Sequence, residues 1–314
     1  MTIININSIS DIYDVQPLAH GALADIYRAL YGATRQPAIL KIPRGQPALD
    51  LPTPTRLFWQ DTGSISESEP DPIDALRNEI ATYKKLDSNS RYINMLHAGE
   101  ITSSDENNSV PYLVLEYRQG ETLREVINKK SDFNLTMLSD LAIDLEKMAQ
   151  KGLPNHGDIK PDNILVTGSE VRLFDPASGS VRMQYGLMQN YLLTPAYAPF
   201  LTPDDAVALA ITAVEVAIGI QPLALPDLAE RPEHDVSDEL ADKLMLLIQM
   251  GRGQLVHFLP QVPLPTELKR SLSSDWDDFF LAALNMVRIG KTLSYQEKKI
   301  TLQDVADFLD SAQY

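Results

Sequence analysis

A short polar stretch, Asn155-His156-Gly157-Asp158-Ile159-Lys160-Pro161-Asp162-Asn163, carries a carboxylate, an ammonium and an amide at fixed offsets. A second carboxylate, Asp175, follows the apolar Leu173-Phe174. Phosphoryl transfer asks for groups of these kinds. It needs an acceptor for the proton of the attacking hydroxyl, a cation near the transferred phosphate, and oxygen atoms to hold Mg²⁺. A polar turn between a helix and a strand would show the same residues without that chemistry, so the flanking elements must decide.

Upstream, residues 12–15, 25–31 and 37–42 alternate in the manner of strands. The last of these runs closes on Ala38-Ile39-Leu40-Lys41, and a lysine there is ordinarily a solvated edge charge. Residues 44–72 hold Pro47, Pro52, Pro54, Pro70 and Pro72 and an acidic Ser/Glu run, and read as a long surface loop with Leu57-Phe58-Trp59 inside it. The spacing predicts a helix over 75–86, started by Asp71 or Asp74. Leu76, Ile80, Tyr83 and Leu86 form its buried stripe, and Glu79 borders it. Strands over 93–100 and 111–117 flank a polar turn, which makes His97 a structural residue. Residues 135–151 predict a core helix with Leu138, Leu141, Leu145 and Met148 on one face. The run 206–220 reads as a buried helix that includes Thr212 and Glu215 and is too short to span a bilayer. Helices are also expected over 240–250, 276–286 and 301–309, the last capped by Thr301.

The 314 residues suffice for a two-lobed unit with a full core. Lys and Arg number 27 against 43 Asp and Glu, a net charge of −16, which argues against a nucleic-acid partner. There is no cysteine, hence no disulfide framework and no Cys-ligated zinc. Residues 1–10 lack the charged and apolar regions of a signal peptide, so the expectation is a cytoplasmic protein with no membrane partner.

The loop at 155–163 resembles the H-R-D-x-x-x-x-N catalytic loop of protein kinases, with Asp175 at the aspartate of D-F-G. The form it resembles is the bacterial or eukaryotic-like Ser/Thr kinase. Residues 18–24 are similar to the Gly-rich loop, with Gly21 at a glycine position, and 38–41 to the V-A-I-K strand. Tyr112-Leu113-Val114-Leu115-Glu116-Tyr117 resembles the strand entering the hinge. Residues 193–199 resemble G-T-P-x-Y-x-A-P, and 205–222 follow helix F from its aspartate to its Gly-x-x-Pro end. The likeness covers about 12–222 and implies an α+β, two-lobed protein-kinase-like fold. Its N-lobe, 1–117, would be an antiparallel sheet with one helix, with 44–72 as an inserted loop, and its C-lobe, 118–314, would be mainly helical. The resemblance gives Asp158 the substrate hydroxyl, Lys160 the γ-phosphate, and Asn163 and Asp175 the metal. Lys41 would hold the α- and β-phosphates and pair with Glu79, while Thr194 would bond Asp158 and Lys160. The nucleotide would lie among Gly21, Ile26, Ala38 against adenine, Leu115 as gatekeeper, the backbone from Glu116 to Arg118, and Leu165 as floor. Asp205 would brace the catalytic loop. ATP and Mg²⁺ are the implied cofactors, and a Ser or Thr hydroxyl of a protein is the implied acceptor; the oligomeric state stays open, a monomer included.

Four departures qualify the likeness. Gly157 replaces the arginine of H-R-D, which implies activity without phosphorylation of the activation loop. Pro176-Ala177 replaces Phe-Gly, and Phe200 stands at the glutamate of A-P-E, whose partner would be Arg288. Ala19 and Ala24 replace two loop glycines and stiffen that loop. The rivals are a nucleotide- or partner-binding pseudokinase scaffold, a small-molecule kinase (H-G-D also occurs in aminoglycoside- and choline-kinase-like relatives), and an adenylyl transferase. Lys160 and Thr194 favour Ser/Thr protein substrates.

Overall fold

The computed structural model describes residues 4–5, 9–20, 23–44, 48–49, 71–86, 90–102, 109–153, 155–176, 205–219, 274–283, 286–289, 292–295 and 298–312. They belong to two units, Met1–Gly120 with Arg172–Tyr185, and Glu121–Val171 with Gly186–Tyr314. The return segment places Asp175 in the same unit as Lys41 and Glu79, whereas the sequence boundary at 117/118 put it with the second half.

The first unit opens with β1 (Ile4–Asn5), then β2 (Ile12–His20), β3 (Ala24–Tyr31) and β4 (Gln36–Pro43). After β5 (Ala48–Leu49) come α1 (Pro72–Tyr83), β6 (Met95–Thr102) and β7 (Ser109–Glu116). Five strands form one antiparallel sheet in the order β2-β3-β4-β7-β6. Strand β2 runs on to His20, which pairs with Asp25, so residues 18–20 and 24 of the 18–24 loop expected from sequence belong to strands, and residues 21–22 lie outside the described residues. Pro17 is tolerated because β2 is an edge strand with irregular register there. Ala38, Leu40 and Ile42 alternate onto one face of β4 and pack with Tyr27, Ala29, Tyr112 and Val114. Each large apolar side chain buried there contributes roughly 1.5–3 kcal/mol. The stretch expected to be all loop holds β5, which pairs parallel with β1; residues 45–47 and 50–70, Phe58 and Trp59 among them, lie outside the described residues.

Helix α1 begins where Asp71 accepts the Ile73 N–H at 2.9 Å and Pro72 supplies a preset φ. It ends at Tyr83, three residues earlier than the apolar spacing predicts, and leaves Leu86 half-buried beyond it. Leu76, Ile80 and Tyr83 are buried, and Glu79 joins them.

The second unit contains β8 (Glu121–Thr122), α2 (Leu123–Lys129), α3 (Thr136–Gln150), a 3₁₀ turn (Pro161–Asn163) and β9 (Ile164–Thr167). The chain passes back to the first unit within β10 (Glu170–Leu173). Then follow α4 (Asp205–Ile218), α5 (Ser274–Ala283), β11 (Met286–Ile289), β12 (Thr292–Tyr295) and α6 (Leu302–Ser311). Capping boxes start α2 (Thr122 with Glu125) and α6 (Thr301 with Asp304). The α3 stripe Leu138, Leu141, Leu145 and Met148 is buried, as is α4 from Asp205 to Glu215 apart from Ala208. One expectation needs correction. The helix predicted over 276–286 ends at Ala283, and β11 and β12 then form an antiparallel hairpin. Val287, Ile289 and Thr292 are β-branched and favour the strand, a preference overlooked in an all-helical reading. The helix expected over 240–250 lies outside the described residues. No helix among the described residues is long and apolar enough to cross a membrane.

Candidate functional site

In the first unit, Lys41 sits on β4 opposite Ile26 of β3 and Leu113 of β7. Its ammonium donates to Glu79 Oε1 at 2.7 Å, Glu79 Oε2 at 2.8 Å and Asp175 Oδ1 at 2.6 Å. Lys41 is 5% exposed and Glu79 8%, while Asp175 is half-buried, so a buried ion pair is joined by a second, partly exposed carboxylate. Burial pushes the Glu79 carboxyl up to about 7, against the pull of Lys41. Burial alone would lower the Lys41 amine, but the Asp175 and Glu79 carboxylates outweigh it and hold the amine well above its usual range. Lys41 therefore stays charged, and the Glu79 carboxyl holds its proton to higher pH than an ordinary glutamate.

Asp175 reaches the triad because the end of β10 is fastened to the segment before β6. The Leu173 N–H donates to the Arg91 carbonyl at 2.7 Å and the Ile93 N–H to the Leu173 carbonyl at 2.9 Å. Arg172 adds bonds to the carbonyls of Ser90 and Tyr92. Asp175 adopts φ 58°, a left-handed conformation that aspartate tolerates better than most residues. Pro176 after it disfavours the right-handed alternative.

The β4 register corrects one assignment. Ala38 was expected against adenine, yet it lies three residues from Lys41, on the opposite face, within the core of the sheet. Ile39 is the residue that shares the face of Lys41, together with its cross-strand partner Leu115. Ile26 is half-buried on that same face, opposite Lys41, and Leu115 is buried. Gly21 lies outside the described residues. At the end of β7 the Glu116 N–H donates to the Asn94 carbonyl at 2.9 Å and the Tyr117 N–H to the Pro37 carbonyl at 3.1 Å. The Glu116 carboxylate accepts from Asn94 Nδ2 at 3.0 Å and Arg118 Nε at 2.7 Å. Burial opposes its ionisation, but the bonds from Arg118 and Asn94 win and keep its pKa below the usual carboxylate value.

In the second unit Asp158 is 3% exposed. Its carboxylate accepts from Asn163 Nδ2 at 2.9 Å and pairs with Lys160 Nζ at 3.1 Å, while the same Asn163 amide also donates to the Asp158 carbonyl. With Nδ2 so engaged, Oδ1 is the atom that Asn163 can offer a cation. The first residue of α4 braces the loop: Asp205 accepts the His156 N–H at 2.7 Å and the Gly157 N–H at 2.9 Å. His156 Nδ1 accepts the Asp158 N–H, which places the proton of a neutral ring on Nε2. Gly157 has φ 76°, a position where a side chain is strained. Leu165 sits on β9 opposite Thr122. Thr194 lies outside the described residues, and Arg288 is on β11.

Sequence reasoning noted Glu215 only as a polar interruption of an apolar run and passed over its partner. Arg124 Nη1 donates to the Glu215 carboxylate, and its Nε and Nη2 donate to Asp162 at 3.3 and 3.2 Å. A fully buried Glu in an otherwise apolar helix is the signal that could have found it, since such a charge requires a partner.

A five-stranded antiparallel sheet with, among the described residues, one helix, and a unit of helices together with these two clusters define a protein-kinase-like fold. Among solved structures, that of Rad53 residues 1–466 in complex with AMP-PNP matches with a TM-score of 0.51 over 95% of this chain and 64% of that one, at 16% identity. A probable serine/threonine-protein kinase of Clostridium perfringens is 36% identical over 83 residues, 26% of this chain. The match spans 11% of the length of that relative. No protein-family model matches the sequence.

Proposed function

We propose that the protein is an ATP- and Mg²⁺-dependent kinase that transfers the γ-phosphoryl group to Ser or Thr hydroxyls of a protein substrate. The fold and the partial relative support a kinase-type, phosphotransferase function. The observation that carries the finer reading is the buried Asp158, held between Lys160 and Asn163 on a loop braced by Asp205.

The donor set suits the implied groups. Asn163 Oδ1 and the Asp175 carboxylate are hard oxygen ligands of the kind Mg²⁺ takes, and Lys41 is a buried point charge for phosphate oxygens. MgATP would supply the transferable phosphoryl group and neutralise part of its charge. The residues of the chain do the positioning. Asp158 orients the hydroxyl and accepts its proton, and Lys160 steadies the oxygens of the transferred group. Glu79 fixes the direction of Lys41. Ile26, Ile39, Leu115 and Leu165 would flank the base, with the backbone from Glu116 to Arg118 bonding its edge and Gly21 over the phosphates. Thr194 would orient a Ser or Thr acceptor. Gly157 offers no guanidinium to bind a phosphorylated loop, which supports activity without that modification. A cytoplasmic setting and no membrane or nucleic-acid partner are proposed with this reading, and the oligomeric state stays open, a monomer included.

The test is to incubate the protein with Mg²⁺-ATP and a mixed protein substrate and read intact masses beside Asp158→Ala and Asp175→Ala. A phosphoryl increment lost in both variants is expected. An adenylyl increment would move the chemistry to nucleotidyl transfer. ATP binding with no increment on any protein would overturn the protein-kinase reading.

A further inference from the structure

Arg124, the second residue of α2, lies between two carboxylates of the second unit. Glu215, fully buried on α4, accepts from its Nη1; Asp162, the middle residue of the 3₁₀ turn, accepts from Nε and Nη2. Glu215 stands ten residues after Asp205 on the same helix. One helix thus serves both ends of the catalytic loop. Asp205 binds the N–H groups of His156 and Gly157 directly, and Glu215 reaches Asp162 through the guanidinium.

We propose that Arg124 is a positioning residue that fixes the 3₁₀ turn, and with it Lys160 and Asn163, relative to Asp158. The Asp162 carboxylate is 45% exposed, and an ion pair to it alone would hold little, because ordering a long side chain offsets a screened attraction. The buried end changes that balance. Glu215 cannot remain ionised at 0% exposure without a partner, so it immobilises Arg124, and the Asp162 link is then made by a side chain already ordered. The planar fork can serve two carboxylates through different nitrogens, which a lysine ammonium on a flexible stem does far less well. Asn163 follows Asp162 directly and donates to two atoms of Asp158, so a displaced turn would loosen both of those bonds. The kinetic part of this proposal rests on the phosphotransfer reading; the tether itself does not.

The main variant is Arg124→Met with Glu215→Met, which removes the tether and the buried charge together and leaves no unpaired carboxylate in the core. Amide hydrogen exchange read at single residues is the first arm. The Asn163 N–H, bonded to the Lys160 carbonyl at 2.9 Å, should exchange about tenfold faster while His156 and Gly157, held by Asp205, keep their protection. In the second arm, kcat for phosphoryl transfer should fall about tenfold or more with the KM for ATP unchanged, because a shifted turn misplaces the groups around the reacting hydroxyl. Arg124→Lys should restore most of the lost kcat only if charge rather than the fork matters; a weak rescue is expected. Should the double variant fail to fold, Asp162→Ala removes the exposed acceptor alone and should speed Asn163 exchange by about threefold. Unchanged Asn163 exchange in a folded variant overturns the tether, and so does uniform loss of protection from His156 to Asn163. Faster Asn163 exchange with unaltered kcat overturns the positioning role. A wild-type protein that transfers no phosphoryl group would sink the kinase reading instead, while the exchange arm would still decide the tether.

Discussion

Glu79→Gln tests the triad at its raised carboxyl. The substitution keeps the side chain's shape and removes its charge. In the wild type, burial pushes the Glu79 carboxyl from 4.5 up to about 7, even with Lys41 at 2.7 Å. Between those values the folded protein binds a proton that the unfolded chain has released. A raised carboxyl therefore favours folding fully below the unfolded pKa, and the contribution is lost as the pH climbs through the folded one. The window runs from pH 4.5 to about 7. A rise of roughly 2.5 pH units corresponds to about 3 kcal/mol over the full window, most of it between pH 5 and 8. Glutamine has no such window. Urea unfolding of both proteins at pH 5, 6, 7 and 8 should show the stability difference moving in favour of the variant by about 2 kcal/mol as pH rises. Parallel curves would refute the idea that desolvation dominates at Glu79. Movement the other way would mean that Lys41 stabilises the ionised carboxylate by more than burial opposes it.

Two further substitutions probe the parts that hold the site. A Cβ on Gly99 would lie 2.7 Å from Tyr112 Oη and 2.8 Å from Cζ, and that ring is buried with its hydroxyl 3.1 Å from His97. Gly99→Ala should therefore cost about 1–3 kcal/mol in urea unfolding, and an unchanged midpoint would mean the ring yields freely. Gly157→Ala puts a side chain at φ 76° and should cost about 1–2 kcal/mol. Because Asp158 is next in the chain, phosphoryl transfer should drop more than ATP affinity; equal losses would contradict the role given to the loop.

The site was legible where chemistry and element boundaries coincide in the sequence. Patterning places Lys41 at the end of an apolar run and Glu79 on the edge of a helical stripe, where each alone reads as a solvated charge; the family resemblance pairs them, and they meet at 2.7 Å. The face of Ala38 was not read correctly. Strand alternation sends residues three apart to opposite faces, and a motif likeness applied without counting that parity put Ala38 on the side of Lys41. The Arg124 tether joins positions 91 residues apart, a separation that no local pattern encodes. The β11–β12 hairpin was hidden by an apolar stretch that continues from helix into strand, where β-branching rather than hydrophobicity marks the change.

The discontinuity of the first unit has a consequence for how the protein is made. Its first 120 residues emerge from the ribosome with Lys41 and Glu79 in place, but Arg172, Leu173 and Asp175 are still to be synthesised. The intervening residues 121–171 take on the order of 3–10 s at typical translation rates. During that interval the carbonyls of Ser90, Arg91 and Tyr92 lack the bonds that Arg172 and Leu173 later supply, and the ammonium of Lys41 lacks one carboxylate. Completion of the nascent sheet unit thus waits on the synthesis of residues 121–171, which belong to the other unit. A fragment cut at Gly120 would be missing a member of its own ion triad, however well its strands pair.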